Sequence, residues 1–142
     1  MKTYIKLLMA VLLISLINGC ETTNPDGPDT GDVRDKFLGT WLFTESASSG
    51  RGVNSAYTAV ITKDPSNSSQ VLISNFTGVG TGASAAYGVV TTSSITVPSQ
   101  SIATDYKVDG SGSLSNSSTM NWSYSVTAGG TKDTYTATAK LQ

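Results

Sequence analysis

The chain has 142 residues, one cysteine, no histidine and a formal net charge of −1. Without histidine a Ser-His-Asp triad, a Cys-His pair and nearly every zinc site are excluded. A single cysteine permits no disulfide within the chain, and the bases beyond residue 36 (Arg51, Lys63, Lys107, Lys132 and Lys140) are too scattered to form the basic stripe of a nucleic-acid binder.

Lys2 and Lys6 precede an apolar run from Leu7 to Ile17, broken only by Ser15, and Ile17-Asn18-Gly19-Cys20 ends it. This is the pattern of a secretory signal. Its 11 residues fall short of the about 20 needed to cross a bilayer. The segment resembles a bacterial lipoprotein signal, with Ile17-Asn18-Gly19-Cys20 at the place of the lipobox and Asn18 departing from the small or hydroxylated residue usual there. The resemblance implies cleavage before Cys20, a diacylglyceryl group on its thiol and an acylated amino terminus. Two or three acyl chains, palmitate among them, would anchor the protein as an outer-membrane lipoprotein of the cell envelope, where one chain holds only marginally. The other reading is an ordinary signal peptide cleaved near Gly19, which leaves a free thiol on Cys20.

Residues 20–36 read as a disordered acidic linker. Asn24-Pro25-Asp26-Gly27-Pro28-Asp29-Thr30-Gly31-Asp32 has no apolar period, and its prolines remove backbone donors. Five acids against Arg34 and Lys36 give the linker a net charge of −3, while acids and bases balance from Phe37 onward. The acids lack the alternate-residue spacing of an EF-hand calcium loop. Acidic residues soon after a lipidated cysteine resemble the surface-export signals of Bacteroidetes lipoproteins. The organisation is therefore a signal over 1–19, Cys20 with its linker over 20–36, and one domain over 37–142.

That domain reads as strands and turns. Phe37 to Thr44 is rich in aromatic and β-favouring residues, and Ser46 to Ser55 is a Ser/Gly loop. Ala56 to Thr62 is a second strand, ended by Lys63-Asp64-Pro65-Ser66-Asn67. Gln70 to Phe76 is a third, whose unbroken apolar stretch suggests burial on both faces or a strand end. Gly78, Gly80 and Gly82 mark a loop, Ala85 to Val90 a fourth strand and Ile95 to Val97 a fifth, which Pro98 closes or places at an edge. Tyr106 to Leu114 carries glycines suited to a bend or bulge. At the C-terminus, Met120, Trp122, Tyr124 and Val126 alternate with polar residues, as do Tyr135, Ala137, Ala139 and Leu141. Period two in both segments, with Gly129-Gly130 between them, predicts a hairpin with one dry face.

About eight short strands without sustained helical period define an all-β antiparallel meander. Either two sheets pack as a sandwich or one closes as an eight-stranded up-and-down barrel, and the local hairpins favour the barrel. Gly39-Thr40-Trp41 resembles the start of lipocalin and wider calycin barrels, which implies that Trp41 packs across a closed end. It also resembles the opening of avidin-like barrels. With Val71 to Phe76 and Thr96-Val97-Pro98-Ser99-Gln100, it is similar to small lipoproteins of Bacteroidetes, a resemblance that implies no particular activity.

No two carboxylates can be assigned to one cleft at the separation of about 5 to 10 Å that a glycosidase needs, so the domain reads as non-catalytic and needs no cofactor or metal. Two roles remain open. Trp41, Tyr57, Tyr87, Tyr106, Trp122, Tyr124 and Tyr135 form the candidate pocket of a barrel for a small apolar ligand or sugar. Alternatively, the tethered domain is a structural or adaptor subunit that presents loops or a sheet edge to an envelope protein.

Overall fold

The computed structural model describes residues 31–47 and 55–142. Cys20, the signal, most of the linker and the centre of the Ser46–Ser55 loop lie outside these residues. The strands follow in order: β1 (Gly39–Ala47), β2 (Ala56–Lys63), β3 (Gln70–Ser74), β4 (Ala86–Val90), β5 (Ser94–Ala103), β6 (Tyr106–Asn116), β7 (Thr119–Ala128) and β8 (Thr131–Leu141). Each pairs antiparallel with the next, and β8 pairs back onto β1. The result is a closed eight-stranded up-and-down barrel, and the sandwich is ruled out. Closure pairs every strand with a neighbour on both sides, although β5 runs on past its short ladder with β4.

Alternation sets the inner face. On β7, Met120, Trp122, Tyr124 and Val126 are buried while Asn121 and Ser123 are exposed. On β3 only Val71 and Ile73 are fully buried and Leu72 is half-buried, so this strand has a single dry face. Phe76 lies beyond β3 in a 3-10 turn, Phe76–Gly78, where positive φ at Asn75 (57°) and Thr77 (67°) folds the chain back.

Toward β7, Gly110 and Gly112 make no bulge, since the register runs unbroken from Tyr106↔Ala128 to Leu114↔Met120; toward β5 the register shifts beside Gly110, between Val97↔Gly110 and Gln100↔Val108. Gly110 faces Tyr124 and Gly112 faces Trp122. A Cβ on Gly112 would stand 2.2 Å from the Trp122 ring, and one on Gly110 would stand 2.4 Å from Tyr124 Cβ. The two glycines thus clear the space that two large inward side chains occupy.

Pro98 does not end β5; it lies where β5 has no ladder partner on β4, a local edge. The β4–β5 ladder stops at Val89↔Thr96, and β5 is irregular between Val97 and Gln100. The Gln100 amide takes over there: its Oε1 accepts from Tyr87 N (2.9 Å), and its Nε2 donates to Tyr87 O (2.8 Å) and Pro98 O (3.1 Å). A side chain supplies the donor that proline lacks.

One end of the barrel is closed by the chain that enters β1. A 3-10 helix, Asp35–Phe37, buries Phe37, and the Trp41 indole N–H donates to Phe37 O (2.8 Å). Arg34 is buried, and its Nη1 donates to the carbonyls of Asp64, Asn67 and Gln70 in the β2–β3 turn. Asp32 grips the same guanidinium (2.6 Å) and also Lys63 (3.0 Å). Those contacts, the Arg34 hydrogen bond first, hold its carboxyl far below the usual carboxylate range. Lys36 Nζ donates to Thr92 O in the β4–β5 turn. Residues 31–36, expected to belong to a disordered linker, are therefore ordered, and the compact unit begins at Gly31. Composition alone hid this, because the order of this stretch comes from partners more than 25 positions away in sequence.

Trp122→Ala should cost about 3 to 5 kcal/mol, whereas Ser123→Ala on the outer face should change stability by less than about 0.5 kcal/mol. Gly112→Ala should cost about 1 to 3 kcal/mol by overpacking. In the Trp122→Ala background that cost should vanish, a coupling that a denaturant double-mutant cycle reads directly. At the closed end, Arg34→Ala should lower the unfolding midpoint more than Lys132→Ala, whose ion pair with Asp109 is exposed.

Candidate functional site

The opposite end is polar where the rest of the interior is apolar. Continuing the alternation of Trp41 and Phe43 along β1 turns Glu45 inward, and Glu45 N donates to Ser55 O (2.8 Å) where β2 approaches. Glu45 is only 7 % exposed. The Tyr124 hydroxyl donates to Glu45 Oε1, and the Tyr57 hydroxyl lies 3.2 Å from that of Tyr124. Across the same end, the hydroxyls of Tyr106 and Thr77 are 3.2 Å apart.

Ring packing fixes these phenols. Tyr57 stacks on Phe43 (4.9 Å between centroids, 14° between planes), and Tyr124 stacks on Tyr135 (5.7 Å, 26°). Phe76 lies against Tyr124 at 5.1 Å, so the 3-10 turn after β3 supports the hydroxyl cluster from beneath. Gly78, at φ 69°, lies over Tyr57, where a Cβ would come within 3.2 Å of the ring.

Electrostatics follow from burial. Desolvation pushes the Glu45 carboxyl above its ordinary value of 4.5. Tyr57 is pushed far above the ordinary phenol range, first by burial and then by the Glu45 charge. Tyr135 moves up as well, by burial and then by Asp133 and Glu45. Among the described residues no three His, Cys, Asp or Glu side chains gather to hold a metal ion.

Of the seven aromatics read from the sequence as one pocket, Tyr57, Tyr106, Tyr124 and Tyr135 meet at this end. Trp122 lies deeper, 5.6 Å from Phe43 and 5.4 Å from Phe76, and its buried indole N–H has no acceptor among the described residues. Trp41 belongs to the closed end. Tyr87 faces outward, because Ala86, Gly88 and Val90 take the inner positions of β4. A run that is apolar at both parities gave no phase, and the phase is set by Gly88, whose Cβ position lies 2.4 Å from Ile95. Glu45 and Thr77, which are not aromatic, join the tyrosines at this end. The in-phase spacing of Trp41, Phe43 and Glu45 carries a signal for the first; nothing local announces the second.

No protein-family model matches the chain, and no curated protein is similar to it. Among solved structures, a redesigned β-barrel, mFAP1, bound to DFHBI is similar over 78 % of this chain and 99 % of its own length, with 13 % identity and a TM-score of 0.46.

Glu45 makes stability depend on pH. Above about 4.5 the unfolded carboxyl has lost its proton while the folded one still holds it, so stability falls as pH rises until Glu45 ionises in the folded state too. Glu45→Gln should remove that part of the decline. Urea midpoints of both proteins at pH 4 and pH 8 should converge at the lower value and favour the variant at the higher.

Proposed function

We propose that the chain is a lipoprotein of the cell envelope, anchored through acyl chains on Cys20, whose non-catalytic barrel holds a small ligand at the tyrosine-lined end. The observation that carries the ligand reading is Glu45, a carboxylate buried among phenol hydroxyls at the end of an otherwise apolar interior. Burying a carboxylate costs several kcal/mol unless it is paired. Such a group adds little to a barrel that only has to fold, and it gives a ligand a directional partner within apolar walls. The anchor rests on the residues of the signal, with Cys20 as the acylated position. The adaptor reading has less support, since a closed barrel offers little strand edge to a partner.

The two halves are tested separately. Cys20→Ser should move the protein from the membrane to the soluble envelope fraction, and an unmodified Cys20 in the intact mass of the native protein would defeat the anchor. With the unlipidated Cys20→Ser chain, the neutral dye N-phenyl-1-naphthylamine should show saturable fluorescence enhancement that Tyr57→Ala weakens. A dye signal that does not saturate, or that Tyr57→Ala leaves unchanged, would count against the ligand site.

A further inference from the structure

Glu45 has an unusual set of neighbours for a buried carboxylate. The groups facing it are phenols from three strands, Tyr57 on β2, Tyr124 on β7 and Tyr135 on β8, with Tyr106 on β6 close enough to feel the same field. The charged groups that act on Tyr57 and Tyr135 are Glu45 and Asp133, both acids. The ion pairs among the described residues lie elsewhere: Arg34 and Lys63 are held at the closed end, and Lys132 is held by Asp109. Ring faces add negative potential of their own. Tyr57 and Tyr135 are partly buried: Tyr57 is stacked on Phe43 with Gly78 close to its ring, and Tyr135 is stacked on Tyr124.

We propose that this end is a cage for an organic ammonium group, with the Glu45 carboxylate as counter-ion and the rings of Tyr57 and Tyr135 among its walls. The inference rests on the ligand reading above and names its ligand class. A cation gains from the carboxylate and from the rings together, and these attractions grow where water is excluded. A neutral apolar ligand would cover the carboxylate without compensating its charge, and an anion would be repelled by Glu45 and Asp133. A quaternary ammonium suits the site best, because it asks for charge and apolar contact and brings no N–H that must find an acceptor.

Choline and its uncharged carbon isostere, 3,3-dimethylbutan-1-ol, have the same shape and separate charge from apolar contact. Calorimetric titration of the full chain should show saturable choline binding, tighter than the isostere by on the order of tenfold. Glu45→Gln keeps an acceptor for the Tyr124 hydroxyl and should bring that ratio close to one. Tyr57→Leu, which keeps an apolar wall, should weaken choline more than the isostere and serves where the Glu45 variant folds poorly. Lowering the pH until Glu45, which faces the phenols of Tyr57, Tyr106, Tyr124 and Tyr135 and shares this end with Asp133, takes up its proton should weaken choline alone. Equal affinity for the two probes, or a ratio unchanged by Glu45→Gln, would overturn the ammonium cage. Saturable binding of the neutral dye without choline binding would overturn the cage and leave the ligand reading standing, whereas failure of both would overturn both.

Discussion

Closing eight strands into a ring turns the inward side chains of all eight toward one shared interior, so each layer of it must be filled by residues from several strands. The pairing of β8 with β1, from Trp41↔Leu141 to Ala47↔Tyr135, is the contact on which this depends. It brings the C-terminal hairpin, which holds Trp122 and Tyr124, against the strand that holds Trp41, Phe43 and Glu45. Without it, Glu45 would have no Tyr124 hydroxyl and Phe43 no Trp122. The binding chemistry at one end and the aromatic filling below it therefore follow from the same closure.

The filling is graded along the barrel axis. At the closed end Phe37 and Trp41 are wholly buried, and the polar groups there point outward into the turns that Arg34 and Lys36 tie together. In the middle, Phe43, Phe76 and Trp122 pack ring against ring, and the bare strand at Gly110 and Gly112 gives room for the bulk of β7. Hydroxyls appear only beyond that layer. The layer shields Glu45 from one side and raises its proton affinity, and it also supports Tyr124 through Phe76. One aromatic layer thus does structural and electrostatic service together.

Much of the fold was legible in the sequence because period-two alternation is a local property. Met120 to Val126 and Tyr135 to Leu141 display it openly, and both segments take the phase that the alternation implies. Where both parities are apolar, as from Ala85 to Val90, the phase depends on a neighbour, and Tyr87 was placed on the wrong face. At Pro98 the proline signals the break in the ladder, but the amide that fills it belongs to Gln100 and reaches Tyr87 on another strand. The order of Gly31 to Lys36 rests on carbonyls from Asp64 to Gln70 and on Thr92, which no composition window includes. Of the candidate site, the tyrosines were visible as residue types, whereas their grouping required knowing which strand ends share a pole. Tyr57 and Tyr135 are separated by most of the chain and meet only through β1.

The even number of strands has a plain consequence for handling the protein. Gly31 enters at the closed end, and Gln142 finishes there too, its N–H donating to Thr40 O (3.0 Å) at the start of β1. Both ends of the described domain therefore emerge at one pole, with the tyrosine-lined end at the other. A linker of a few residues could join them, and the chain could be reopened at the exposed β7–β8 turn, where Gly129 and Gly130 carry positive φ and no side chain. Such a circular permutant would keep every strand pairing of the ring while moving its termini to the opposite pole.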